Sequence, residues 1–149
     1  MNMRAGRKMG LIFAMSIALA SGLAVSGLLT TSKTLSSSGS VKAINVEVFW
    51  DNECTQAVSS VDWGTPEPGE SIENTVFVKN TGNAPMNLSQ YTSGWNPVDA
   101  ESYLTLSWDL EGMVISANEV LQAVLTLYVS SDISGITDFA FNIIIEGTG

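Results

Sequence analysis

The groups able to do chemistry in this 149-residue chain are its fifteen carboxylates; there is no histidine and only one cysteine, Cys54. Without imidazole there is no Ser-His-Asp or Cys-His nucleophile pair, and a single thiol makes neither an intrachain disulfide nor a thiolate zinc site. Two carboxylates can hydrolyse a glycoside. No spacing here marks two acids as such a pair, and a cleft is hard to carve beside the one small core that a chain of this length supports. The expectation is a non-enzymatic protein with no cofactor. Hard cations want several carboxylate oxygens, which makes Asp51, Glu53 and Asp62 weak calcium candidates, although no EF-hand spacing exists. Cys54 reads as a small buried apolar residue, or as a bridge between exported subunits. Trp95, expected in a loop before Asn96-Pro97, reads as core or as a carbohydrate platform. Asn87-Leu88-Ser89 is the chain's one acceptable N-glycosylation sequon, which matters only outside the cell.

Charge divides the chain. Arg4, Arg7, Lys8, Lys33 and Lys42 precede Ile44, whereas every acid, from Glu47 to Glu146, follows it, leaving Lys79 as the sole base of the body. The net charge of −9 argues against nucleic acid as a partner. A basic leader and an acidic body follow.

After Arg4, Arg7 and Lys8, no residue from Met9 to Ser32 is charged. This is the layout of a secretory signal, and the positive-inside rule places the body outside the cell. Residues 9–29, as a helix rising about 1.5 Å per residue, span about 31 Å, enough to cross a bilayer. Residues 1–29 are therefore a signal peptide or a transmembrane anchor. Ala18-Leu19-Ala20 offers small residues at both positions a signal peptidase reads, which would start the mature chain near Ser21. A third fate is pilin-type cleavage just before the apolar helix, whose site Lys8-Met9-Gly10-Leu11 resembles. Residues 30–43, rich in Ser and Thr, read as a flexible linker or as a segment that orders on a partner.

From Ile44 the periodicity is two, the signature of half-buried strands. Ile44, Val46, Val48 and Trp50 share one parity; so do Ile72, Val76 and Val78; Leu104, Leu106 and Trp108; Leu121, Ala123, Leu125, Leu127 and Val129; and Phe139, Phe141, Ile143 and Ile145. Shorter candidates are Val58 to Trp63, Met86 to Tyr91 and Met113 to Ser116. Turn signals fall at 64–69, 80–83, 111–112 and 130–132. Asn96-Pro97 starts the one helical turn, with Asn96 as its cap. Seven to eight short strands in residues 44–149, with turns about every 8–12 residues, predict an all-β, immunoglobulin-like antiparallel β-sandwich after an N-terminal hydrophobic helix. Trp50, Trp63, Trp95 and Trp108 are expected in or beside its core. Phe49, Phe77, Val124, Tyr128 and Ile144 fall on outward parity; should they converge, Phe49 and Phe77 would lead a self-association surface.

Two stretches carry a resemblance. Val76 to Leu88 holds a strand, an Asn80-Thr81-Gly82-Asn83 turn and a second strand, as in many surface β-sandwich modules. The wider run, Val46 to Asp51 with Cys54-Thr55, Val61-Asp62-Trp63-Gly64 with Pro68-Gly69, and Ile133 to Ile136 before Phe139, together with the leader, resembles small exported archaeal β-sandwich proteins of the TasA/camelysin type, subunits of extracellular filaments. That resemblance implies assembly by strand donation, an N-terminal segment of one copy completing the sheet of the next. The donor would precede Ile44, where Leu23, Val25 and Leu29 alternate suitably with small residues. The expectation is an exported cell-surface structural protein whose partner is itself or another surface protein; the alternative is a single-pass anchored external binding module, held in the membrane by residues 9–29.

Overall fold

Alternating apolar and polar residues build eight strands in the computed structural model, which describes residues 41–149. They are β1 (Val41–Ile44), β2 (Val46–Phe49), β3 (Ser71–Asn80), β4 (Met86–Asn96), β5 (Leu104–Trp108), β6 (Val114–Ile115), β7 (Val120–Val129) and β8 (Ala140–Thr148), with one 3-10 helix at Val98–Ser102. The leader, most of the linker and the donor positions Leu23, Val25 and Leu29 lie outside the described residues. Among the described residues no helix is long and apolar enough to cross a membrane.

The strands form two four-stranded sheets, ordered β1-β8-β4-β6 and β2-β3-β7-β5. One hydrophobic core joins them: Val76, Val78, Ala123, Leu125, Leu127 and Val129 from the second sheet meet Leu88, Ile115, Phe141, Ile143 and Ile145 from the first. Pairing is antiparallel throughout except between β1 and β8, which run parallel.

Several expectations are corrected. The run from Ile44 to Trp50 is not one strand: Asn45, at φ 57°, breaks it, sending β1 to the first sheet and β2 to the second. Val41 to Ala43 belong to β1 rather than to a linker. Val58, Val61 and Trp63 are buried without forming a strand, because intervals of three and then two put them on opposite parities. Asn96 ends β4, so the 3-10 helix is preceded by Pro97 and has no side-chain cap.

Trp95 also differs from expectation. It lies in β4, not in a loop, and on the parity opposite to the buried Met86 and Leu88. A register shift between Ser93 and Asn96, beside Gly94 at φ 65°, corrects that parity. The indole then stacks on Phe141 with centroids 4.2 Å apart and donates from Nε1 to Thr92 Oγ1. The ring is a wall of the core rather than an open sugar platform.

The two sheets are pinned by one amide. Asn80, fully buried at the end of β3, donates from Nδ2 to the carbonyls of Ala84 (2.8 Å) and Ile115 (3.2 Å), and its Oδ1 accepts the Gly82 N–H at 2.8 Å. Its backbone N–H donates to Glu119 O, and its carbonyl accepts the Asn118 N–H. Losing this side chain leaves the buried Ile115 carbonyl without its donor. Asn80→Ala should lower unfolding stability by on the order of 3 kcal/mol, and Asn80→Asp, which cannot make either donation, should not rescue it. Urea denaturation checks both; an unchanged midpoint would show the amide to be dispensable.

Candidate strand-exchange edges

Each sheet has two edge strands, whose outer N–H and C=O groups form a template for another chain. The four edges of this protein are treated differently.

The β2 edge is closed by the chain itself. After Phe49 the chain reverses, so that the Trp50 N–H donates to Gln56 O and the Val58 N–H to Val48 O, both at 2.8 Å, and Phe49 forms a bridge with Ala57. Asp51 holds this reversal. Its carboxylate accepts the Thr55 hydroxyl at 2.7 Å, the Gln56 N–H at 2.7 Å and the Thr55 N–H at 3.0 and 3.1 Å. The Thr55 hydroxyl is the main cause that draws the Asp51 pKa below its ordinary value, helped by the backbone donors against a partial opposing effect of desolvation.

The β6 edge offers two residues. The β5 edge offers five, Leu104 to Trp108, and beyond its end Asp109 Oδ1 accepts the Val124 N–H, so β7 stays satisfied after β5 stops.

The fourth edge strand is β1, the outer neighbour of β8. On one side β4 pairs with β8 along almost its whole length, from Thr148 to Ala140. On the other, the described residues of β1 pair parallel with Ile143 to Glu146, Val41 in register with Ile143 and Ala43 with Ile145. Gly147 and Thr148 run on past Glu146, the partner of the last β1 residue, Ile44. β1 joins the body through Asn45, whose carbonyl accepts the Thr81 N–H and hydroxyl, each at 3.2 Å. Beside this hinge lies a cleft of about 250 Å³ between Asn45, the 82–86 turn and Gly147. A Cβ at Gly147 would overlap Met86 Sδ, so any other residue there requires the Met86 side chain to move.

The remaining candidates scatter. Asp51 is committed to its turn, Asp62 accepts the Gly64 N–H at 2.8 Å, and no group of three or more acids, cysteines or histidines able to hold a metal occurs among the described residues; the calcium candidates Asp51, Glu53 and Asp62 do not converge. Phe49 is buried although its parity is outward, because the returning segment at Ala57 flanks it on one side and Phe77 on the other; Phe77 is half-buried. This corrects the expected Phe49 and Phe77 contact surface. Trp50, expected inside, is 37% exposed because β2 ends before it. Cys54 is half-buried in the turn at φ 57°, outside the core. A groove of about 340 Å³ at the 3-10 helix has one carboxylate among its lining residues, Asp99. Asn87 is exposed on β4.

What sequence reasoning missed is the β8 edge. The signal was present: Asn45, a residue type that tolerates left-handed backbone, interrupts an otherwise unbroken alternation. No protein-family model matches the chain, and no curated protein matches it.

The Asp51 clamp has a pH signature. A carboxylate whose folded pKa is depressed stabilises the closed turn above its unfolded value, about 3.9, and loses that effect as pH falls through the folded value. Amide-exchange protection at Thr55, Gln56 and Val58 should therefore drop as the solution is acidified below about pH 4, and Asp51→Asn should remove this step by weakening protection at neutral pH. Equal protection in the two proteins at pH 7 would contradict the clamp.

Proposed function

We propose that this protein is an exported, non-enzymatic cell-surface subunit that assembles into an extracellular filament by β-strand donation. The flank of β8 is the acceptor, and the segment before Ile44 of a neighbouring copy is the donor. One observation supports the reading: β8, a nine-residue strand lined inwardly by Phe141, Ile143 and Ile145, has a parallel strand as its outer neighbour among the described residues, where the rest of the pairing is antiparallel.

The strand order supports an immunoglobulin-like sandwich as the frame. With β2, β3, β4, β5, β7 and β8 standing for strands A to F, the second sheet reads A-B-E-D and the first contains F beside C. The place alongside F that a strand G takes in that fold is held by β1. β6 departs from the pattern, pairing with C but following D in the chain.

Exchange has a physical driving force. Parallel pairing is slightly weaker per residue than antiparallel, so a donor that pairs antiparallel with β8 gains over β1. The leader supports export, and the near absence of bases in the body suits a surface that holds copies apart until their strands engage. An anchored monomeric module remains the competing reading, in which an uncleaved leader keeps the donor in the membrane.

The test locks β1 to β8. In a Cys54→Ser background, Lys42→Cys with Ile144→Cys places two thiols at paired positions of the β1–β8 register. For the chain beginning near Ser21, electron microscopy should show filaments under reducing conditions and none when the lock is oxidised. Leu23→Asp should abolish filaments in the unlocked protein. Filaments unaffected by the oxidised lock would remove β8 as acceptor, and an intact leader on detergent-soluble monomers from native cells would favour the anchored module.

A further inference from the structure

The outer face of the first sheet carries two of the large apolar side chains left exposed among the described residues, Val114 at 58% and Tyr91 at 45%. The sequon lies on the same face, with Val114 directly beside it. Asn87, Ser89 and Tyr91 alternate along β4 on the face opposite to the buried Met86 and Leu88, and Val114 is the cross-strand partner of Asn87. Met113 precedes Val114, and its carbonyl accepts the Leu88 N–H at 2.8 Å. The Tyr91 hydroxyl donates to Glu146 at 3.2 Å, which fixes that ring four residues, about 13 Å, along the strand from Asn87.

Exposed apolar residues grouped on one face call for a cover. Strand pairing cannot supply it here, because β4 is an inner strand with β8 and β6 on its two sides. The acidic residues do not supply it either: of the strand positions on this face, only Glu146 is acidic, and it is engaged by Tyr91. The one side chain in the patch with a known route to a large polar cover is Asn87, exposed and followed by Leu88 and Ser89.

We propose that Asn87 carries an N-linked oligosaccharide whose first sugar lies over Val114. The co-substrate is an oligosaccharide linked to a lipid phosphate or pyrophosphate. The Asn87 carboxamide nitrogen forms a bond to the anomeric carbon as that carbon's bond to the phosphate oxygen breaks; the lipid phosphate leaves with the electron pair, and one amide proton passes to a base of the transferase or to solvent. The Ser89 hydroxyl, two residues on, is the recognition group of the acceptor. The modified face is separated from the β8 flank by the width of the sheet edge, so a glycan at Asn87 and a strand beside β8 occupy different surfaces.

The experiment is mass spectrometry of the protein from its own cells. Cleavage after glutamate yields a peptide spanning residues 74–101, which holds the sequon. A mass excess localised to Asn87, lost in Asn87→Gln and in Ser89→Ala but kept in Ser89→Thr, is the expected result. The serine-to-threonine variant separates a sequon from a merely structural hydroxyl. An unmodified 74–101 peptide, in whichever cell fraction the protein is found, overturns the proposal, as does an excess on that peptide that persists in Asn87→Gln. Filament formation plays no part in this readout, so it stands or falls apart from the strand-exchange reading.

Discussion

A β-sheet cannot leave a long edge unpaired in water without inviting another chain, and this constraint organises the protein more than any single side chain does. Closing the β2 edge requires the reversal at Asp51 and the return of residues 56–58. Shortening β6 to two residues requires the Asn80 amide to take over the Ile115 carbonyl. Placing β1 beside β8 and β2 beside β3 requires the chain to pass from one sheet to the other within one residue, Asn45. The core is then what lies between sheets whose boundaries have been set this way.

Charge follows the same division. Among the acids only Glu47, Glu73 and Glu146 lie in strands, and Glu47 is paired across the sheet with Lys79. The rest occupy turns, loops and the 3-10 helix, where water solvates them cheaply and where several serve as backbone acceptors: Asp51 for Thr55 and Gln56, Asp109 for Val124, Glu111 for Gln90 and Glu119 for Ser116. The sheet faces are consequently almost uncharged in a strongly acidic body. Repulsion between copies is concentrated at the loops, and contact through strand edges or faces meets little of it.

The all-β class and the long strands β3, β7 and β8 were legible because alternation over nine or ten residues leaves no other reading. The inward set of β8 and most of that of β7 are buried as the parity predicts. Parity failed wherever the backbone departs from regular pleating. At Asn45 a left-handed residue divides one apparent strand between two sheets; at Ser93 to Asn96 a bulge turns Trp95 inward; after Phe49 a reversal buries an outward residue and exposes Trp50. Periodicity records which residues are apolar, not where the phase resets, and the resets depend on local side chains such as Asp51 and on long-range pairing. The proposed exchange site was legible only as what a resemblance implies, a donor strand. Its proposed place beside β8 rests on topology, which no short window of sequence contains.

The parallel neighbour of β8 sets what a donor must supply under the proposed exchange. An intramolecular strand on a short connection acts at an effective concentration on the order of millimolar. A donor from another copy at micromolar concentration would start about a thousandfold behind, which is about 4 kcal/mol. Under that proposal the difference has to come from the pairing itself: an antiparallel donor gains slightly per residue over the parallel β1, and β8 extends through Gly147 and Thr148 past the partner of Ile44. The exchange would therefore be favoured where subunits are concentrated and disfavoured where they are dilute.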